Sequence, residues 1–453
     1  MNLYRLLQER EATRPVRVGI IGVGKFASMF LAQARHTPGL HVIGVCDLDL
    51  DRAKATLARV GWSPEQMTAA SFEQAIKQAS THLTEDAGAL ITADGIEVII
   101  DSTGDPAAGI RHALTCIDAG RHIVMVNVEA DVLAGPLLAR RARDAGVVYS
   151  MAYGDQPALI VELVDWARTT GFDVVCAGKG TKYLPAYHSS TPETVWQFYG
   201  LTPEQAADGG MNPKMFNSFL DGTKSAIEMA AVANATGLAP APHGLEFPPA
   251  SVEALPQVLK PRPEGGVLHH TGTVEVVSSQ QRDGSDVERN LRWGVYVTFE
   301  APSKYAAQCF AEYGVKTDDS GRYAALYRPY HLIGLELGIS VAMAALRREP
   351  TGDAQNFVGD VVATAKRDLA AGEILDGEGG YTVWGRLMPA VDSLALGGLP
   401  IGLAHGVKLK SSIGIGQPIR WSDIELAEIS EAVQIRREME AAFRQNNGVR
   451  AAS

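Results

Sequence analysis

The sequence predicts an α/β protein: a parallel sheet at the N-terminus, an α+β domain in the middle and a small β-rich module at the C-terminus. Three observations lead to this class. Up to about residue 155, β-branched runs alternate with helix-patterned segments, which is the spacing of successive βαβ units. Beyond Asp155 that alternation stops, and helical and strand-like pieces follow in irregular order. From Gly359 to about Glu425, glycine and proline punctuate short apolar runs such as GGLPIGLAHGVKL.

In order along the chain, Val16–Ile21 is a β-branched run ending at Gly22. A helix-like stretch then runs to Ala34, and a second apolar run, 41–46, ends at Asp47. Further runs at 96–101, 122–127 and 147–151 supply the remaining strands of the first domain, 1–154. The second domain, 155–350, starts with a helix at 157–169 and a strand at 173–177, followed by a long polar stretch to Asn217. A helix is expected at 220–236, strands at 272–278, 291–300 and 307–311, and a closing helix at 332–346. Proline-rich 239–249 and 256–263 read as surface connections, and 351–453 as a separate module.

A chain of 453 residues is past the size at which one hydrophobic core stops growing, so two or three domains are expected. With 46% hydrophobic and 21% charged residues it has the composition of a globular protein. The net charge of −11 argues against nucleic acid or an anionic membrane as partner, since both need a basic face, while leaving room for a small anionic ligand held by local lysines. The four cysteines, Cys46, Cys116, Cys176 and Cys309, are scattered and read as buried thiols of a reducing compartment. The N-terminal residues are charged and carry no signal-peptide core, and no run approaches the roughly 18 apolar residues of a membrane span, so a cytoplasmic location is expected.

Directly after the first strand stands Gly22-Val23-Gly24-Lys25-Phe26-Ala27, a G-x-G-x-x-A turn that opens a helix. The first glycine allows the sharp turn, the second lets backbone approach a pyrophosphate, and the small third residue lets helix pack on strand. A diphosphate would then sit at the positive end of the helix. Asp47, at the tip of the second strand, suits a ribose diol and favours NAD(H), whereas nearby Arg52 suits the extra phosphate of NADP(H); both cofactors stay open. Ser102, Thr103 and Gly104 follow the fourth strand, and Asn127 and Glu129 the fifth, on the rim where ligands of parallel sheets bind.

Oxidation of an alcohol needs a group that moves the hydroxyl proton. The middle domain offers Lys179 and Lys182 in GKGTKY, Lys214 in MNPKMFN, which ends at Asn217, and Lys224 in DGTKSAIE. Lys224 and Glu228 stand four residues apart, on one helical face. Arg328 and His331, in YRPYH, offer a paired donor for an anion and a proton shuttle. His188, His269 and His270 read as surface residues.

These residues carry a resemblance. Asn127-Val128-Glu129 is similar to the Asn-Lys-Glu of 1-deoxy-D-xylulose 5-phosphate reductoisomerase, with Val128 in place of a substrate-binding lysine. The stretches AGKGTKYL, FLDGTKSAIEMA and LYRPYHLIGLEL resemble homoserine dehydrogenase relatives, and KRDLAAGEIL, PIGLAHGVKL and IGIGQPIRWSDIE resemble an SAF domain. Together they resemble the DRL family of reductoisomerase-like oxidoreductases over nearly the whole chain. The resemblance implies a Rossmann domain, a homoserine-dehydrogenase-like domain and an SAF tail; a homodimer is expected on the general ground that most oligomers of one chain are two-fold dimers. The resemblance also implies NAD(P)H-dependent conversion of 1-deoxy-D-xylulose 5-phosphate to 2-C-methyl-D-erythritol 4-phosphate. By the same resemblance Lys224 meets the substrate oxygen, and Glu228 meets a divalent metal, Mg2+ or Mn2+, or a substrate hydroxyl. Asp155 is the remaining member of an Asp-x-Glu metal pair, since Pro157 replaces the glutamate. A dehydrogenase of a hydroxy acid or sugar acid fits the same residues, and a non-catalytic NAD(P)-binding sensor is the alternative from another class.

Overall fold

A computed structural model describes residues 2–208, 211–426 and 428–450. The chain forms two compact units, Met1–Leu159 with His331–Gln355, and Ile160–Tyr330 with Asn356–Ser453. The first holds six parallel strands: β1 (Val16–Ile21), β2 (Leu40–Cys46), β3 (His82–Thr84), β4 (Val98–Asp101), β5 (His122–Met125) and β6 (Tyr149–Met151), in the spatial order β3-β2-β1-β4-β5-β6. The chain builds outward from β1 to β3 and then returns to β4 on the other side of β1. That reversal opens a crevice at the carboxyl ends of β1 and β4, where ligands of such sheets bind. Val16, Val18, Ile20, Val98 and Ile100 are wholly buried, as strands covered on both faces require.

The segment His331–Gln355, expected to be divided at residue 350 between the second domain and the C-terminal module, belongs to this first unit: Leu337, Val341, Ala342 and Ala344 join its core. The long helix expected at 332–346 is reduced to Gly338–Ala342 and one wide turn, Met343–Arg347. Gly334, at φ 75°, holds the backbone before it in a left-handed turn no helix can include.

The second unit is built on β7 (Asp173–Thr181), β8 (Thr273–Ser278), β9 (Val295–Glu300) and β10 (Tyr323–Arg328), in the order β10-β9-β7-β8. β7 and β8 are parallel, and the other pairs antiparallel. Helix Thr223–Thr236 packs on this sheet and on β11 (Gly359–Ala365) and β13 (Val383–Pro389), which pair with each other. It is buried all round except near Lys224, so it carries no amphipathic stripe. β12 (Ile374–Asp376), β14 (His405–Leu409) and β15 (Ile424–Glu425) form a further small sheet. Arg436, on the C-terminal helix and wholly buried, ties that helix down through Asp360 at 2.6 Å and Glu440 at 2.9 Å.

The fold class is the one expected, a mixed α/β chain that opens with a parallel sheet, but several elements differ. Residues 307–311 lie in a helix, Lys304–Glu312, because Ser303 caps it by accepting from Ala306 N. The polar stretch before Asn217 folds into short helices with their own apolar cluster around Tyr187, Val195, Trp196 and Leu220. The helix expected at 220–236 is two, Pro213–Leu220 and Thr223–Thr236, broken at Gly222. Proline-rich 256–263 lies partly in the core, since Leu255–Val258 is helical and Leu255 and Leu259 are wholly buried. Cys46, Cys116 and Cys176 are buried thiols and Cys309 a half-buried one. Among the described residues no helix is long and apolar enough to cross a membrane.

Candidate functional site

The glycine turn lies at the end of β1. Gly22 has φ 89°, and a Cβ there would stand 2.9 Å from the Ser102 carbonyl oxygen, so both conformation and space demand glycine. Gly24 is different: its backbone is extended and a Cβ would meet nothing within 4 Å. It caps helix Lys25–Ala34 without a side chain, which leaves the first N–H groups facing open space. Lys25 is exposed beside them, while Phe26 leans on the core. An uncapped helix start behind an open glycine fits a dinucleotide phosphate.

Asp47 stands at the end of β2, as expected, but it is buried and both oxygens accept from the protein. Oδ2 takes Val23 N at 2.7 Å; Oδ1 takes Asp49 N at 2.9 Å and the Arg52 guanidinium at 2.6 Å. Burial works against the charged carboxylate, yet these hydrogen bonds prevail and hold its pKa below the ordinary value. Asp47 therefore braces the glycine turn and carries Arg52 beside it. On the neighbouring rim Ser102 Oγ donates to Gly22 O at 2.8 Å, and Thr103 Oγ1 to Asp101 Oδ1 at 2.8 Å. Asp101 also pairs with His112 at 2.6 Å. Gly104 turns the chain at φ 71°. Asn127 donates to Thr103 Oγ1 and Asp105 O and accepts from Ala130 N, so its side chain knits the rim together; Glu129 is half-buried one turn on.

In the second unit the structure pairs Glu228 with Lys179, across from helix Thr223–Thr236 to β7, and both are buried. The i, i+4 spacing had joined Glu228 to Lys224 instead. Lys224 sits half-buried on the first turn of the same helix. Periodicity sees neighbours along one helix and cannot see a strand 49 residues earlier.

Just before that helix, Asp221 is wholly buried. It accepts from Thr223 N at 2.9 Å and pairs with Lys366 Nζ at 2.7 Å. Lys366 also donates to Ser190 O and Gly380 O, each at 2.8 Å. The next residue, Gly222, has φ 90°, and a Cβ there would press on His188 and Phe247. His188, expected on the surface, donates from Nδ1 to Asp221 O at 2.7 Å; its Nε2 therefore accepts from Tyr183 Oη at 2.9 Å. Its ring stacks on Trp384 at 3.9 Å, and burial lowers its pKa, keeping it neutral. Sequence reading missed Asp221, Lys366, Tyr183 and Trp384. The left-handed glycine after Asp221 was the available signal for the first, while nothing local marks Lys366.

The remaining candidates divide. Asn217 is wholly buried and ties Ser190 to Gly379 through both ends of its amide, a structural joint. Lys214 is half-buried and donates to Asp376 O at 3.4 Å. Lys182 is half-buried and donates to Phe198 O. Arg328 ends β10 in the second unit, while His331 begins the segment that returns to the first. Asp155, in the first unit, accepts from Gln156 N at 2.8 Å at the start of its helix. Among the described residues no group of three or more His, Cys, Asp or Glu stands close enough to hold a metal ion, and Glu228 faces an ammonium. The donor set does not fit Mg2+ or Mn2+.

Residues 154–337 match the family model described as the catalytic domain of oxidoreductase DRL, so the middle of the chain is similar to an oxidoreductase catalytic domain. No curated protein matches the chain. Among solved structures, an NAD binding oxidoreductase from Klebsiella pneumoniae is 16% identical with a TM-score of 0.28, over 39% of this chain and 47% of that one. The myo-inositol dehydrogenase from Lactobacillus casei, solved with NAD(H) and myo-inositol, is 17% identical with a TM-score of 0.29, over 40% and 50%. The WlbA dehydrogenase from Bordetella pertussis, solved with NADH and UDP-GlcNAcA, is 17% identical with a TM-score of 0.27, over 37% and 47%. Each match spans half or less of the solved chain, and likeness at this level carries no argument about the reaction.

Proposed function

We propose that this chain is an NAD(P)-dependent oxidoreductase that interconverts CH–OH and C=O on a small anionic substrate. The observation that carries the reading is the oxidoreductase catalytic-domain match over 154–337, in a chain that opens with an uncapped glycine turn. A bound nicotinamide supplies two-electron transfer at the substrate carbon. Gly22, Gly24 and the first N–H groups of the helix at Lys25 and Phe26 hold the diphosphate. Asp47 and Arg52 flank the adenosine ribose, and Ser102, Thr103, Gly104, Asn127 and Glu129 line the rim.

Proton movement belongs to the lysines. Lys224 donates to, or accepts from, the substrate oxygen, and Lys179 is held in place by its buried pairing with Glu228. Arg328 and His331 contact the substrate's polar groups. Asp221, held by Lys366, sets the start of the helix that carries Lys224 and Glu228.

The sharpest version is the reductoisomerase reaction, conversion of 1-deoxy-D-xylulose 5-phosphate to 2-C-methyl-D-erythritol 4-phosphate. It needs a group to hold two vicinal oxygens during the carbon shift. The metal donors usual for that role do not fit here, so cationic lysines take it in this reading. A homodimer in the cytoplasm, with 351–453 as an SAF-like module, completes the proposal; four free thiols support a reducing location.

The test is NADPH and NADH oxidation with 1-deoxy-D-xylulose 5-phosphate, with and without Mg2+ or Mn2+, followed by product identification. Turnover to methylerythritol phosphate supports the sharp version. Turnover only with hydroxy acids or sugar acids, in the oxidative direction, leaves the oxidoreductase and removes the reductoisomerase. No cofactor binding at all defeats the whole reading.

A further inference from the structure

Every deeply buried cation described in the second unit is matched by a carboxylate: Lys179 by Glu228, Lys260 by Asp318, Lys366 by Asp221 and Arg436 by Asp360 and Glu440. Desolvated charge demands this. One pair of half-buried cations departs from it. Lys182, just past β7, donates to Phe198 O and lies 5.7 Å from the ring centre of Tyr199. Arg292 stacks on Trp293 at 4.7 Å, and its guanidinium makes no hydrogen bond or ion pair among the described residues. The two segments are pressed together: a Cβ on Gly180 would stand 2.0 Å from Leu291 O and 2.9 Å from Arg292 N. Burial first, and then the like charge of Arg292, lower the Lys182 pKa, with exposed Asp286 offsetting only part of it.

We propose that Lys182, beside Tyr199, and Arg292, stacked on Trp293, form the subsite for a phosphomonoester group of the substrate. The inference rests on reading this unit as the substrate-binding half. Lys182 is thereby an anion-binding rather than a proton-transferring residue. The ammonium keeps donors beyond the one given to Phe198, and the guanidinium keeps its whole planar fork, the shape that meets phosphate oxygens in pairs. Two neighbouring positive charges with only the exposed carboxylate of Asp286 near them, in a chain of net charge −11, call for a dianion. A monocarboxylate would balance only one of them.

Inorganic phosphate is titrated calorimetrically into the full-length protein saturated with NADPH, in mildly alkaline solution. The cofactor keeps phosphate out of the glycine turn, and phosphate is then mostly dianionic. Binding that weakens about tenfold or more in Arg292→Met and in Lys182→Met, is partly kept in Arg292→Lys, and is not matched by acetate is the expected result. Circular dichroism and NADPH affinity, read on the same variants, should be unchanged. Phosphate that fails to bind the native protein, binds all variants equally, or is rivalled by acetate overturns the subsite. NADPH affinity and turnover report separately on the oxidoreductase reading: phosphate binding lost in the variants of a protein without turnover would keep the subsite and discard the activity.

Discussion

The glycine turn of the first unit and the lysine cluster of the second both handle charge, by opposite means. In the first unit backbone does the holding: side chains such as Asp47, Ser102 and Asn127 point inward and tie the loops, leaving N–H groups open at Gly24. In the second unit side chains do it, and each buried cation is neutralised by a carboxylate brought from far along the chain, as Lys366 is by Asp221. A backbone site costs little to desolvate and is sensitive to a single methyl group. A side-chain site carries a large desolvation cost that only its partner offsets, so it is sensitive to loss of either partner.

The largest test of that difference is Arg436→Met, which leaves buried Asp360 without its ion-pair partner and Glu440 with Arg437 alone. A loss of about 3–5 kcal/mol in urea unfolding is expected. Glu228→Gln leaves only one ion, the Lys179 ammonium, without its partner, and should cost about 3 kcal/mol. Turnover should fall with it while NADPH affinity, measured by fluorescence, holds. If the Lys179→Met, Glu228→Leu double variant is no more stable than Glu228→Gln, desolvation is not what makes the pair sensitive.

Two glycine variants sharpen the backbone side. Gly22→Ala meets both a positive φ and the Ser102 carbonyl, and should lose about 2 kcal/mol together with cofactor binding. Gly24→Ala meets neither, so stability should shift by less than about 0.5 kcal/mol while NADPH affinity drops, because the new methyl stands where phosphate must come. Equal stability losses in the two would remove the distinction drawn between them.

Between these in size, but opposite in sign, lies Asp131. Its Oδ1 accepts from Tyr149, its Oδ2 has no hydrogen-bond partner, and burial pushes its pKa up to about 7. The folded state therefore prefers the protonated acid. Its contribution to stability is full below the ordinary value of 3.8 and is lost as pH rises towards about 7. Asp131→Asn should gain about 1–2 kcal/mol at about pH 8, gain nothing in acid, and flatten the pH dependence of melting between.

Where sequence reading failed, the lost information was a local cap or break in some places and a distant partner in others. Residues 307–311 alternate like a strand, and only Ser303 at the helix start gives them away. His188 has one partner near it in sequence, Tyr183, but its other contacts, Asp221 O and the stacked Trp384 nearly two hundred residues on, are distant. Glu228 was visible as a candidate, but on the wrong lysine.

By itself the sequence determined the alternating βαβ units, the glycine turn after β1 and the end of that alternation near Asp155. These depend on residue period and local backbone sterics, which are written over a few adjacent positions. Only the tertiary structure decided which carboxylate meets which lysine, that His331–Gln355 returns to the first unit, and that the segments carrying Lys182 and Arg292 are pressed together. Those outcomes depend on desolvation and on contacts closed across long loops, and neither leaves a period in the chain.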